Sequence, residues 1–231
     1  MIPAWLFTAA ALAFLIGMVW WARRVERGRF GFAAHYFPRL CAASQGPRAR
    51  DLAPPWLGGL RTLRRELGGT HSAPCAVLDD LLDGSIEIAC LWQHDRVVAF
   101  VRCPGVLVAD DLAQGNALAT TGPMMQGRRG LRKVATLRSE GRRHEPINVW
   151  HDRMADARVG LHDAAELSLR GAFAIGYGRG LSAIEIHAGE VFLLFDGHGK
   201  GRLEPHHIAA IVEALDVKQE GDRAASVPIR P

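Results

Sequence analysis

The run Asp196-Gly197-His198-Gly199-Lys200-Gly201-Arg202-Leu203 has an acid first, glycine sixth and an apolar side chain eighth, the frame of a calcium loop. A hard cation needs oxygen donors at the third, fifth and twelfth places, where this chain has His198, Lys200 and His207. The run is therefore expected to be a strand-to-helix turn, and no metal is expected. His-Asp occurs three times, at His94-Asp95, His151-Asp152 and His162-Asp163, which could suggest a metal phosphohydrolase. An isolated dipeptide fixes no metal geometry, and neither HExxH nor another ligand spacing is present. His206 and His207 point to different faces of a helix and are expected in a water-exposed first turn. Gly176-Tyr177-Gly178-Arg179-Gly180 follows a helix and precedes a strand, the reverse of a phosphate loop, so it reads as helix termination. No serine lies in a G-x-S-x-G elbow. Of Cys41, Cys75, Cys90 and Cys103, only Cys103 has an adjacent base, Arg102, a neighbour that lowers a thiol pKa where it lies close. No stretch carries a specific catalytic or cofactor signature, and no cofactor is expected.

The elements that would position these residues form an α+β domain. With 231 residues, 48% hydrophobic and 23% charged, the chain is neither disordered nor collagenous and can bury one core. Alternation over Ser85 to Trp92 and the β-branched run Arg96 to Arg102 predict a hairpin. Lys133 to Ser139 with Pro146 to His151 predict a second, and Ser182 to His187 with Glu190 to Phe195 a third around Ala188-Gly189. In the third, Ile184 and Ile186 should be buried and Glu185 and His187 outward. Leu161, Ala165, Leu169 and Phe173 predict a helix face, with Asp156 or Asp163 as its cap. Ile208, Ile211, Val212 and Leu215 predict a closing helix that starts near Pro205. Cys75 to Leu82 reads as a small helix, Leu57 to Leu67 as another, and Pro104 to Gly130 as loop. The sum is a mostly antiparallel sheet of hairpins with helices packed on one face.

Residues 1–22 contain no charged side chain. At about 1.5 Å per residue they would make a helix of roughly 33 Å, enough for a hydrocarbon core of about 30 Å. Trp5 at one end and Trp20 and Trp21 at the other suit the two headgroup layers. A cleaved signal would carry its Lys or Arg before the apolar run, whereas here Arg23, Arg24, Arg27 and Arg29 follow it. The positive-inside bias then keeps that flank cytoplasmic with the N-terminus outside. Four cysteines without a CxxC pair fit free thiols in a reducing compartment, and their even number leaves periplasmic disulfides open. The expected organisation is a transmembrane helix at 1–22, a basic juxtamembrane helical stalk and linker at 23–74, a cytosolic α+β domain at 75–218, and a flexible tail at 219–231.

Charge is unevenly placed. Residues 23–50 and 128–143 each carry a net +6, while 51–127 and 144–231 each carry a net −4. The first basic block lies beside the membrane, where anionic lipid accounts for it. The second, Arg128, Arg129, Arg132, Lys133, Arg138, Arg142 and Arg143, is either a solvated loop and strand face or a docking patch for lipid headgroups, an acidic partner or nucleic acid. Missing aromatic interleaving argues against a nucleic-acid stacking platform.

The order Asn148-Val149-Trp150-His151-Asp152, a helix with Ala157 and Leu161, Ile184 to Leu194, and Gly201-Arg202-Leu203-Glu204-Pro205 resembles a recurring bacterial pattern of membrane-anchored, uncharacterised domain families. The similarity is confined to the C-terminal half and is mostly hydrophobic patterning. It implies a membrane-anchored domain and supplies no catalytic residues. Many such proteins have two spans, where this chain has one.

The reading that follows is a single-pass bacterial inner-membrane protein whose cytosolic domain binds a protein partner, as an accessory or scaffold subunit. An enzyme with a site assembled from dispersed His, Asp and Cys residues is the competing class. An extracytoplasmic sensor domain is the third.

Overall fold

The computed structural model describes residues 12, 14–18, 31–44, 48–50, 54–60, 75–82, 84–93, 96–113, 115–121, 131–138, 146–152, 161–187, 189–197 and 202–217. The strands are β1 (Arg48–Arg50), β2 (Cys75–Leu81), β3 (Ile86–Gln93), β4 (Arg96–Cys103), β5 (Ala117–Thr121), β6 (Arg132–Leu137), β7 (Ile147–His151), β8 (Leu181–His187) and β9 (Glu190–Asp196). They form one nine-stranded sheet in the order β1-β2-β3-β4-β9-β8-β5-β7-β6. Every neighbouring pair is antiparallel. The helices with defined ends are α1 (Pro38–Ala43), α2 (Asp110–Ala113), α3 (Asp163–Gly176) and α4 (Pro205–Leu215), and residues 31–36 are also helical.

The three predicted hairpins are present as β3–β4, β6–β7 and β8–β9. The last turns at Gly189, whose φ of 78° is the left-handed geometry a glycine supplies cheaply. Two segments differ from expectation. Cys75 to Leu81 is a strand, not a helix, with Ala76 opposite Cys90; a short apolar run has no period that separates the two states, and pairing with β3 decides it. Within Pro104 to Gly130, read as loop, Ala117–Thr121 forms β5 between β7 and β8. Its small side chains carry little strand signal, yet residues 117–120 are all buried.

Strand alternation sorts the core into two layers. Ala76, Leu78, Ile88, Cys90, Ala99, Val101, Ile184, Ile186, Leu193 and Phe195 share one cluster with the buried side chains of all four helices. Among these are Leu169 and Phe173 of α3 and Ile208, Ile211 and Leu215 of α4. Val77, Ala89, Leu91, Val98, Phe100, Phe192 and Leu194 face the other side, where Leu57 and Leu60 join them around a 3-10 turn at Pro55–Gly59. Only that turn, part of the helix expected over Leu57 to Leu67, falls on described residues. Burial on both faces explains why β9 reads as the unbroken apolar run Val191 to Phe195.

The segment read as a stalk contributes to both layers. Phe32, Ala33, Phe37, Leu40 and Cys41 lie in the helix-side core, and Leu57 and Leu60 in the opposite one. Between them β1 pairs with β2 as the last described strand on that side of the sheet, so residues from 32 onward already belong to the packed body. Tyr36 presses on β9: a Cβ at Gly197 would lie 2.6 Å from the Val97 carbonyl oxygen and 2.9 Å from the Tyr36 ring.

Helix ends are held by side chains whose capping roles the sequence did not show. α3 begins at Asp163, so that residue is not its cap; His162 takes that place, its N–H donating to Asp111 Oδ2 at 2.8 Å. Asp156 lies outside the described residues. At α4, Pro205 opens the helix, the Glu204 carboxylate accepts the His207 backbone N–H, and His207 Nδ1 accepts the Glu204 N–H at 3.2 Å. That acceptor exists only while the ring is neutral. Burial, followed by Arg179, His206 and Arg39, pulls the His207 pKa below its ordinary 6.5. As pH falls the unfolded chain takes up this proton first, so the contribution is full above about 6.5 and declines below it. Urea midpoints from pH 8 to pH 5 should fall for the wild type and fall less for His207→Gln, whose amide oxygen accepts at every pH. Equal slopes would exclude His207 as the cause.

Candidate functional site

The basic block is partly visible. Arg132 and Lys133 lie on β6 and Arg138 directly after it, all three exposed, and β6 is the last described strand on its side of the sheet. Cations on an edge strand oppose pairing with a second sheet, as does the register shift between Lys133 and Ala135. Arg128, Arg129, Arg142 and Arg143 lie outside the described residues, as do Trp20, Trp21, Arg23, Arg24, Arg27 and Arg29.

The His-Asp pairs do not converge. His151 is buried at the end of β7 and its Nδ1 is 3.9 Å from Asp152. His162 Nδ1 lies 2.8 Å from Asp111 at the start of α3. His94 and Asp95 are outside the described residues. Among the described residues no group of three His, Cys, Asp or Glu side chains is placed to hold a metal. Cys103 corrects an expectation: alternation turns it into the helix-side core, away from the face that Arg102 occupies, and burial pushes its thiol up to about 12. Cys41 is likewise raised to about 11, Cys90 lies well above its ordinary value, and all four cysteines are free and buried.

The structure instead assembles a polar row on the face opposite the four helices described above. Direct cross-strand pairing lines up Glu87, Arg102, Phe192, Glu185, Leu118, Trp150 and Lys133 from β3 to β6. Arg102 grips Glu190 with a two-pronged fork, Nε to Oε2 at 2.9 Å and Nη2 to Oε1 at 2.6 Å, and reaches Glu87 Oε1 with Nη1 at 3.2 Å. The hydrogen bond from Arg102 is the main cause that lowers the Glu190 carboxyl below its usual range, and the same contact raises Arg102. The second oxygen of Glu87 accepts Trp56 Nε1 at 2.7 Å, and the Trp56 ring stacks on Phe192 with centroids 5.7 Å apart. Thus the 3-10 turn is bolted to the sheet through one carboxylate and one aromatic face.

A second relay starts where β8 turns into β9. The Asp152 carboxylate accepts the Asn116 backbone N–H at 2.9 Å and also the Asn116 side-chain amide. That fixes Asn116 Oδ1 as the acceptor facing His187 Nδ1, 2.7 Å away. A neutral His187 therefore carries its proton on Nδ1 and its lone pair on Nε2. Nε2 points at the turn: a Cβ on Gly59 would come within 3.2 Å of it. His187 and Glu185 share the face expected of them, but Glu185 is buried at 2% exposure beneath this layer, not outward.

Part of this site could be counted from the sequence. Working back from the Gln93–Arg96 turn places Glu87 opposite Arg102, and the β8–β9 turn pairs His187 with Glu190. Trp56, Asn116 and Asp152 had no such signal, since they arrive from a turn, the start of an unrecognised strand and the end of β7.

No family model matches the chain, and no curated protein matches it. Among solved structures, the crystal structure of the mycobacterial trehalose monomycolate transport factor A, TtfA, is similar with a TM-score of 0.47 and 8% identity, over 84% of this chain and 97% of that one. Nothing about activity is carried over from it.

Trp56→Phe keeps a ring on Phe192 and deletes the bond to Glu87, and should cost about 1.5–3 kcal/mol in urea unfolding, the range for a hydrogen bond to a charged group. Glu87→Gln, which retains an acceptor, should cost less. The thiols supply an independent check of the core: at pH 8 a pKa of about 12 leaves on the order of one thiolate in ten thousand. Ellman's reagent should label the native protein slowly and all four cysteines in urea; rapid native labelling of Cys103 would contradict its placement.

Proposed function

We propose that the chain is a single-pass membrane protein whose cytosolic body binds a protein partner, as an accessory or scaffold subunit of a membrane assembly. The carrying observation is the concentration of apolar exposure near the N-terminus. Leu12, Phe14, Leu15, Ile16 and Met18 are helical and between 53% and 68% exposed. Among the described residues the other large exposed apolar side chains, Leu107, Leu167 and Tyr177, are scattered over the body. A chain that buries its strands on both faces yet leaves five apolar side chains open in seven positions has a use for them in a lipid or protein environment. No helix among the described residues is long and apolar enough to cross a membrane. The uncharged stretch 1–22 extends on both sides of the described helical residues, and the reading rests on that full stretch.

The arginines at 23, 24, 27 and 29 support a cytoplasmic body with the N-terminus outside. Four buried free thiols are in keeping with a reducing compartment. For the partner, the exposed cations of β6 offer a face that an acidic protein surface would complement, and the Arg128, Arg129, Arg142 and Arg143 side chains flank it in sequence.

The full chain should remain in the membrane pellet after alkaline carbonate extraction, and a C-terminal reporter should be active in the cytoplasm only. Gentle detergent extraction from the native host should co-purify a membrane protein near stoichiometrically. An Arg129, Arg132, Arg142 and Arg143 charge-reversal variant that folds should lose it. Release by carbonate would end the anchor reading, and a monodisperse, partner-free protein would end the subunit reading.

A further inference from the structure

We infer that the end of the body formed by residues 31–44 and the start of α4 is a membrane-facing surface that takes anionic lipid headgroups. The inference rests on the anchor proposed above. Only residues 23–31 separate the uncharged stretch from Phe32 and Ala33, which are packed in the core. Nine residues reach about 31 Å fully extended and about 14 Å as helix. Because Phe32, Phe37 and Leu40 are core side chains, no slack is gained from the segment beyond residue 31. The surface that carries this segment therefore stays against the bilayer.

The side chains displayed there suit that position. His35 and Arg39 are exposed on the N-terminal segment. Arg39 forms an ion pair with Glu204, the residue that caps α4, and His206 Nδ1 lies 3.2 Å from the same carboxylate. The His206 and His207 rings are 3.9 Å apart, Arg179 is close enough to His207 to perturb it, and Arg202 is exposed two residues ahead of the cap. Exposed Arg39, Arg202, His35 and His206 thus lie on these two segments, and the Glu204 carboxylate between them is already engaged by Arg39 and His206. The positive end of α4, an 11-residue helix, opens onto the same spot. With Arg23, Arg24, Arg27 and Arg29 just upstream, a phosphate-bearing lipid surface is the complementary partner. The β6 cations lie elsewhere: four strand spacings, about 19 Å, separate β9 from β6. They stay available to a protein while this end meets lipid.

The test uses the full chain in nanodiscs of phosphatidylcholine alone and of phosphatidylcholine with 30% phosphatidylglycerol, read by hydrogen exchange. Peptides covering residues 31–44 and 202–212 should exchange at least threefold more slowly in the anionic discs. Raising salt to 0.5 M should remove the difference, and Arg39→Gln with Arg202→Gln should reduce it. Arg202→Gln alone, at an exposed position, serves as the variant whose folding is secure, checked by unchanged α3 exchange. Equal exchange in both discs, or protection confined to residues 132–138, would overturn the inference and leave the anchor standing. Failure of the chain to enter either disc would overturn the anchor itself, before any exchange is measured.

Discussion

The antiparallel seam between β4 and β9 is the contact on which the rest of the molecule depends. It pairs Val98 with Asp196 through to Cys103 with Val191, joining residues 88 to 98 positions apart, and without it the sheet would be two separate pieces. On its helix side Val101 and Leu193 meet the layer that α4 covers. On its other side Phe100, Phe192 and Leu194 supply the floor for Trp56 and Leu57. Closing such a distant pair carries a large loop entropy, which the burial of both faces must offset. The apolar density of β4 and β9 is the physical answer to that requirement.

The polar row lies across this seam and uses it. Arg102 comes from β4 and Glu190 from β9, so their fork ties together the two strands whose backbones already pair. Exposed ion pairs are worth little when their side chains are free to wander. Here strand backbones fix both ends, and a third partner, Glu87, passes the connection to Trp56. The same logic governs His187, whose tautomer is set by an asparagine that is itself set by Asp152. Both relays end on the 54–60 segment, so this face is a fastening for chain that enters from the N-terminal side.

How much of this could be read from sequence depended on the range of the determining contacts. The hairpins β3–β4, β6–β7 and β8–β9 were legible because alternation and turn residues are local, and α3 and α4 because their stripes repeat every three or four residues. The strand order was not, since nothing near Val191 states that its neighbour is Cys103. β5 escaped because alanine and threonine buried on two sides leave no periodic mark. At the candidate site, the pairing of Glu87 with Arg102 can be counted along one hairpin, although the pattern alone does not mark either as a site residue. Asn116 and Asp152 cannot be paired this way, because they meet through the β5–β7 pair. Cys103 shows the opposite error: adjacency in sequence suggested contact with Arg102, and the two-residue period of a strand put them on opposite faces.

The path of residues 31–60 around the sheet has a consequence for synthesis on the ribosome. This segment emerges early, but its packing partners come late: Tyr36 rests on Gly197, and Arg39 pairs with Glu204. Roughly 160 residues must be made between Arg39 and α4, which at about 5–20 residues per second takes on the order of ten to thirty seconds. During that interval Phe32, Phe37, Leu40, Leu57 and Leu60 have no complete core to enter. The arginines and prolines set among them, Arg39, Arg48, Arg50, Pro38, Pro54 and Pro55, are residues that discourage premature strand association, so the earliest part of the body is written to wait for the last.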